Sequence, residues 1–140
     1  MTPSYVLCHR VTFDETNLVG NVYFAHYLHW QGHCREHFLA DHAPGVLNEL
    51  RTGFVLATVS CSAEFYTEAW AGDLVEVHLT LERITGNRIA MGFDYRRGDE
   101  LLARGRQTVA CLRRTEQGLQ TAVVPAELRR ALEPYAGVAR

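Results

Sequence analysis

This chain of 140 residues contains no lysine; all 14 of its cations are arginine, set against 16 acidic residues. Neither sign runs in blocks, so nothing supplies the positive surface that nucleic acid or an anionic membrane requires. No apolar run approaches the roughly 20 residues that span a bilayer, and no basic segment with an apolar stretch behind it opens the sequence. A soluble, cytoplasmic protein is the expectation. The four cysteines, Cys8, Cys34, Cys61 and Cys111, form no CxxC pair, which argues against a zinc site and a small disulfide framework. They read as reduced, mostly buried thiols. There is no GxSxG segment for a serine nucleophile. Repeats, low-complexity tracts and Pro/Gly/Ser linkers are also absent. One domain over residues 1–140 follows, because 47% apolar residues suffice for a continuous core at this length.

What is present is one helical block followed by strands. Residues 5–12 are β-prone, and residues 23 to about 41 carry a helical pattern that breaks at His42-Ala43-Pro44-Gly45, with a short helix expected through Val46–Leu50. Phe54–Tyr66 is β-prone. Asp73–Ile84 then alternates, with Val75, Val77, Leu79 and Leu81 on one face and Glu76, His78, Thr80 and Glu82 on the other. Turns at Thr85-Gly86-Asn87 and Arg97-Gly98-Asp99-Glu100 lead into Ile89–Tyr95 and Leu101–Arg114, and a last amphipathic helix is expected over Pro125–Leu132. Such a pattern buries its apolar residues economically if an antiparallel sheet wraps around the long helix, an α+β arrangement.

On a wheel of 100° per residue, Phe24, Tyr27, Leu28, Gln31, Cys34, Arg35, Phe38 and Leu39 share an arc of about 140°, the expected core face. His26, His29, Trp30, His33, Glu36 and His37 lie opposite, toward solvent or a partner subunit. His29, His33 and His37 have a spacing that metals use, but on the outward arc and without accompanying carboxylates they read as surface histidines, and no metal is expected. His9 and His78 read as strand histidines on polar faces.

Polar residues on the core arc carry the chemistry. Arginine is rarely buried without an anionic or acceptor partner, so Arg35 either faces a ligand oxygen, reaches an edge, or pairs with Glu64 or Glu68. Asn17, in the loop before the helix, is a turn or cap residue or a ligand to substrate. Gly20 permits close approach of the backbone, and the N–H groups of Asn21, Val22 and Tyr23 at the helix start could form an oxyanion hole.

The segment Phe13-Asp14-Glu15-Thr16-Asn17-Leu18-Val19-Gly20-Asn21-Val22-Tyr23-Phe24-Ala25-His26-Tyr27, the single long helix, and Ala63-Glu64-Phe65-Tyr66-Thr67-Glu68-Ala69-Trp70-Ala71-Gly72-Asp73 resemble the hot-dog-fold acyl thioesterases of the 4-hydroxybenzoyl-CoA type. The resemblance covers roughly residues 5 to 115. Asn17 with Gly-Asn-Val-Tyr-Phe, and His-Cys-Arg-Glu on the helix, are most similar to the thioesterases of enediyne polyketide biosynthesis. The resemblance implies a hot-dog fold, with about five antiparallel strands around one central helix. It implies no cofactor, a homo-oligomer built as a dimer of dimers, and active sites between subunits. The implied partner is an acyl carrier protein domain of a polyketide synthase or a coenzyme A thioester.

In the 4-hydroxybenzoyl-CoA branch an aspartate stands where this chain has Asn17. An amide can neither deprotonate water nor form an anhydride. The enediyne branch also lacks that acid, which implies roles for Asn17, Tyr27 and Arg35 in hydrolysis of a β-keto polyenyl thioester, with decarboxylation of the released acid as a further step. Phe24, Leu28, Gln31 and Thr58 are then candidate substrate contacts, with Glu64 as an alternative base and Glu68 behind it.

Two other readings stay open: an acyl-CoA thioesterase of general metabolism, and an acyl-binding module that holds a chain without cleaving it. A cysteine hydrolase built on Cys34 with His33 or His37 is disfavoured, because helix neighbours point apart. A hot-dog dehydratase is disfavoured because His26 lies on the outward arc.

Overall fold

A computed structural model describes residues 3–137. The chain runs β1 (Tyr5–Arg10), a 3₁₀ turn (Phe13–Glu15), α1 (Ala25–His42), α2 (Pro44–Glu49), β2 (Phe54–Phe65), β3 (Leu74–Thr85), β4 (Arg88–Arg97), β5 (Glu100–Thr115), β6 (Gly118–Thr121), α3 (Ala126–Leu132) and a 3₁₀ turn (Glu133–Tyr135). All strand pairs are antiparallel, in the order β1-β3-β4-β5-β2, and β6 pairs with β5. This is the hot-dog arrangement: a curled sheet of five main strands around one long helix.

Alternation in the sequence becomes the two faces of the sheet. In β3, Val75, Val77, Leu79 and Leu81 are buried, and they meet α1 residues Tyr27, Cys34, Phe38 and Leu39 in one core. β6 is an addition to the expected elements. It forms because Gly118, at φ 102°, closes a tight turn after Thr115, and its four residues are all exposed, which left no apolar alternation to read.

Helix α1 stops where Pro44 cannot continue it, and that proline instead opens α2, two residues before the expected start. The wheel needs correction at Trp30 and at Phe24. Trp30, assigned outward, is 1% exposed, because β1 and the Phe13–Glu15 turn cover a second side of α1. The His9 ring packs on it with centroids 4.8 Å apart. Phe24, assigned inward, is 56% exposed at the residue before the helix, and Leu28 is half-buried. The expectation of mostly buried cysteines also splits: Cys34 and Cys111 are buried, Cys8 and Cys61 exposed, and all four are free.

Strand β2 ends the sheet. Its 12 residues leave one edge unpaired among the described residues, with a bulge between Thr58 and Ser60 and the exposed apolar side chains of Val59 and Phe65. A long open edge of this kind is a template for another strand.

Candidate active site

The loop before α1 is built around a buried carboxylate. Glu15 closes a capping box with Thr12, whose N–H donates to Oε1 at 3.0 Å. His9 Nε2 lies 2.7 Å from Oε1, and Trp30 Nε1–H donates to Oε2 at 2.8 Å. Burial alone would raise the pKa of this carboxyl, but the hydrogen bonds from Thr12, His9 and Trp30 outweigh it and bring the group down to about 2. Glu15 therefore stays ionised and ties β1, the loop and α1 together.

Beyond Glu15 the chain doubles back. Asn17 N–H donates to Asn21 O at 2.7 Å and Gly20 N–H to Asn17 O at 2.9 Å, with Gly20 at φ 97° under the Trp70 ring. The Asn17 amide donates to Asn21 Oδ1 at 3.3 Å, and Asn21 Nδ2 to Glu68 Oε1 at 3.3 Å. The side chains of Leu18 and Val19 stand out into solvent on this turn.

The amides after Gly20 divide. Val22 N–H donates to Ala69 O at 2.8 Å and Tyr23 N–H to Glu15 O at 2.9 Å, so these two, expected to receive an oxyanion, are already engaged. Two strand-like pairings of the loop consumed them. Among the described residues the N–H groups of Asn21, Phe24 and Ala25 make no hydrogen bond, and the last two open α1.

Tyr27 is buried against Trp30, Phe65 and Tyr95, and burial pushes its hydroxyl up to about 12. Its backbone oxygen accepts the Tyr95 hydroxyl at 2.7 Å. Two turns on, about 12 Å along the axis, is Arg35. Its Nη1 donates to Gln107 Oε1 at 2.9 Å and approaches Thr58 Oγ1 at 3.4 Å. Neither Glu64 nor Glu68 reaches it: Glu64 is exposed and accepts from the Tyr66 hydroxyl at 3.2 Å. Among the described residues Arg35 has no carboxylate partner, and burial lowers its pKa. Gln31, fully buried on the same helix face, donates from Nε2 to Ser62 O at 3.0 Å.

Within one chain the candidates thus fall into two groups. Asn17, Gly20, Asn21 and the head of α1 form one, and Gln31, Arg35 and Thr58 form the other, joined only by the helix that carries Tyr27. Gln107 and Glu15 escaped the sequence reading. Each left a signal: Gln107 interrupts the inward series Ala103, Gly105, Val109, Cys111 of β5, and Thr12-x-x-Glu15 is a capping-box pattern. Among the described residues no group of three or more His, Cys, Asp or Glu could hold a metal. His29, His33 and His37 are exposed.

The helix, the sheet and the loop together match the Thioesterase-like superfamily over residues 11–132. The chain belongs to that family. It is therefore a thioester hydrolase, and its relatives are named accordingly. A structure of the dynemicin thioesterase is 66% identical, superposes with a TM-score of 0.94, and covers 97% of this chain and 99% of its own. A 1,4-dihydroxy-2-naphthoyl-CoA hydrolase of Prochlorococcus marinus (strain MIT 9211) is 29% identical over 101 residues, 66% of this thioesterase and 67% of the relative. The fold is shared with 4-hydroxybenzoyl CoA thioesterase in complex with 4-hydroxybenzoyl CoA, at 20% identity and a TM-score of 0.81 over 92% of this chain and 98% of the other. No helix among the described residues is long and apolar enough to cross a membrane.

Proposed function

We propose that this thioesterase releases a nascent polyketide from a carrier-protein thioester in enediyne biosynthesis, by direct attack of water. The observation that carries the reading is Arg35: a guanidinium sunk between α1 and the sheet and held, among the described residues, by the neutral oxygens of Gln107 and Thr58. A buried cation with no carboxylate in ion-pair contact among the described residues is suited to substrate oxygen, and a β-keto thioester offers two. The relationship to the dynemicin thioesterase, a protein that binds a polyene, supports a long, flat acyl chain lying between α1 and the sheet. The β-keto acid set free would then lose carbon dioxide.

The two polar groups need a second chain to converge. Pairing of β2 with β2 of another copy would extend the sheet through the open edge and set the loop of one subunit beside the helix of the other. Two such pairs would form a dimer of dimers. Asn17 then hydrogen-bonds the substrate, and the free N–H groups of Asn21, Phe24 and Ala25 receive the oxyanion. Thioesters are reactive enough for positioning and oxyanion stabilisation to replace a strong base.

The test is release of free thiol from acyl-pantetheine on a carrier protein and, separately, on coenzyme A. Turnover confined to coenzyme A would favour general acyl-CoA metabolism. No turnover on any acyl length with either carrier would leave an acyl-binding module.

A further inference from the structure

Among the described residues, two side chains leave a fully buried polar atom without a hydrogen-bond partner: Gln31 Oε1, an acceptor, and Arg35 Nε, a donor. They stand four residues apart on α1, a spacing that puts Cβ atoms about 6 Å apart on one helix face. Between them the two side chains reach a pair of neighbouring strands. Gln31 Nε2 donates to Ser62 O in β2, and Arg35 Nη1 donates to Gln107 in β5. Cys61, next to Ser62, is the residue that pairs with Gln107. A lone donor and a lone acceptor in one wall are each costly in a core, and a polar molecule joining them removes both costs.

The way Gln31 is turned follows from its neighbours. A carbonyl oxygen takes only a donor, so the Nε2 end must face Ser62 O, and Oε1 is the end left over. Gly105 makes room for this. A Cβ there would lie 2.8 Å from Ser62 O and closer still to Gln31 Nε2. If Gln31 served only to tie α1 to β2, its carbonyl would have no task.

We propose that Gln31 Oε1 and Arg35 Nε hold the water that attacks the thioester; the proposal rests on the hydrolase reading of the Arg35 site. Arg35 Nε–H donates to one lone pair of the water, and one water O–H donates to Gln31 Oε1. The second lone pair is left for the carbonyl carbon. As the C–O bond forms, the C–S bond breaks, its electron pair stays on sulfur, and a proton of the water passes to the departing thiolate. Carboxylic acid and thiol are the products. The arrangement supplies aim where the chain has no carboxylate to supply basicity.

Two measurements on the full chain decide it. A high-resolution crystal structure of the unaltered protein should show an ordered water within hydrogen-bond distance of both atoms; a dry or apolar gap there overturns the proposal, whatever the activity. Gln31→Met keeps the length and removes the acceptor. Its kcat should fall on the order of 100-fold with KM within about twofold, and full kcat would refute the role. Gln31→Glu, whose carboxyl can accept from the water whether or not it is ionised, should restore kcat to within about tenfold. Equal loss in both variants would assign Gln31 to structure alone. Failure of the unaltered protein to hydrolyse any thioester would defeat the hydrolase reading instead, leaving the crystallographic result to stand by itself.

Discussion

The Arg35 guanidinium rests 2.9 Å from an amide oxygen, that of Gln107, itself 4% exposed, and not against a carboxylate. The difference is one of charge. Gln107 fixes where the guanidinium points and leaves its positive charge free for a ligand. Gln107→Glu would place an anion at the same spot and close an ion pair. Hydrolysis should then fall at least about tenfold while the melting temperature holds or rises. Unchanged kcat/KM would show that the Arg35 charge is not used.

Arg35→Ala should abolish hydrolysis, a loss on the order of 100-fold or more, and leave the sedimentation coefficient unchanged. Arg35 touches Thr58 and Gln107 and contributes nothing to the β2 edge backbone, so assembly has no reason to follow activity. Retained turnover would remove Arg35 from the chemistry.

Glu15 predicts a pH dependence of stability with a definite sign. Its folded pKa, about 2, lies below its ordinary value of 4.5. A carboxyl lowered on folding stabilises above the ordinary value, and that contribution fades as pH falls toward the folded one. Glu15→Gln should cost about 1–3 kcal/mol at pH 7, because the ionised acceptor shared by Trp30, His9 and Thr12 is lost. The gap between the two proteins should narrow below pH 4.5 and close only as pH falls below about 2. Urea unfolding at pH 7 and pH 3 measures it; an equal gap at both would contradict the assignment.

Gly105→Ala tests the crowding beneath α1. The added methyl would meet Ser62 O at 2.8 Å and press on the Gln31 amide, with Tyr95 Oη at 3.4 Å. Overpacking of this order costs about 1–3 kcal/mol. A fall in melting temperature should accompany it; an unchanged melting temperature would mean that the helix yields more easily than its contacts suggest.

Much of the fold was legible because it depends on local alternation. Val75, Val77, Leu79 and Leu81 are spaced for one face of a strand wherever the strand goes, and the breaks at Pro44, Gly86 and Gly98 are properties of single residues. Trp30 was not legible. Its burial depends on β1 and the turn after it folding over the back of α1, and a helical wheel knows only one buried side. β6 escaped for the opposite reason, since a strand exposed on every residue has no period to detect.

The candidate site was readable as residue types but not as a grouping. Arg35 and Gln31 announced themselves as polar residues on an apolar arc. Their partners Gln107 and Ser62 come from strands far along the chain, and nothing local joins them. Val22 and Tyr23 show the converse. Position near a helix start suggested free N–H groups, and the loop's own pairing with Ala69 and Glu15 took them.

The two tryptophans divide the molecule optically. Trp30 is sealed in the core with its indole N–H on Glu15, whereas Trp70 is half open to solvent and lies over Gly20 in the Asn17 turn. Acrylamide should therefore quench one and spare the other. An intrinsic emission change on adding an acyl ligand that stays confined to the quenchable component would report movement of the loop, while a change in the protected component would mean that α1 itself has shifted on the sheet.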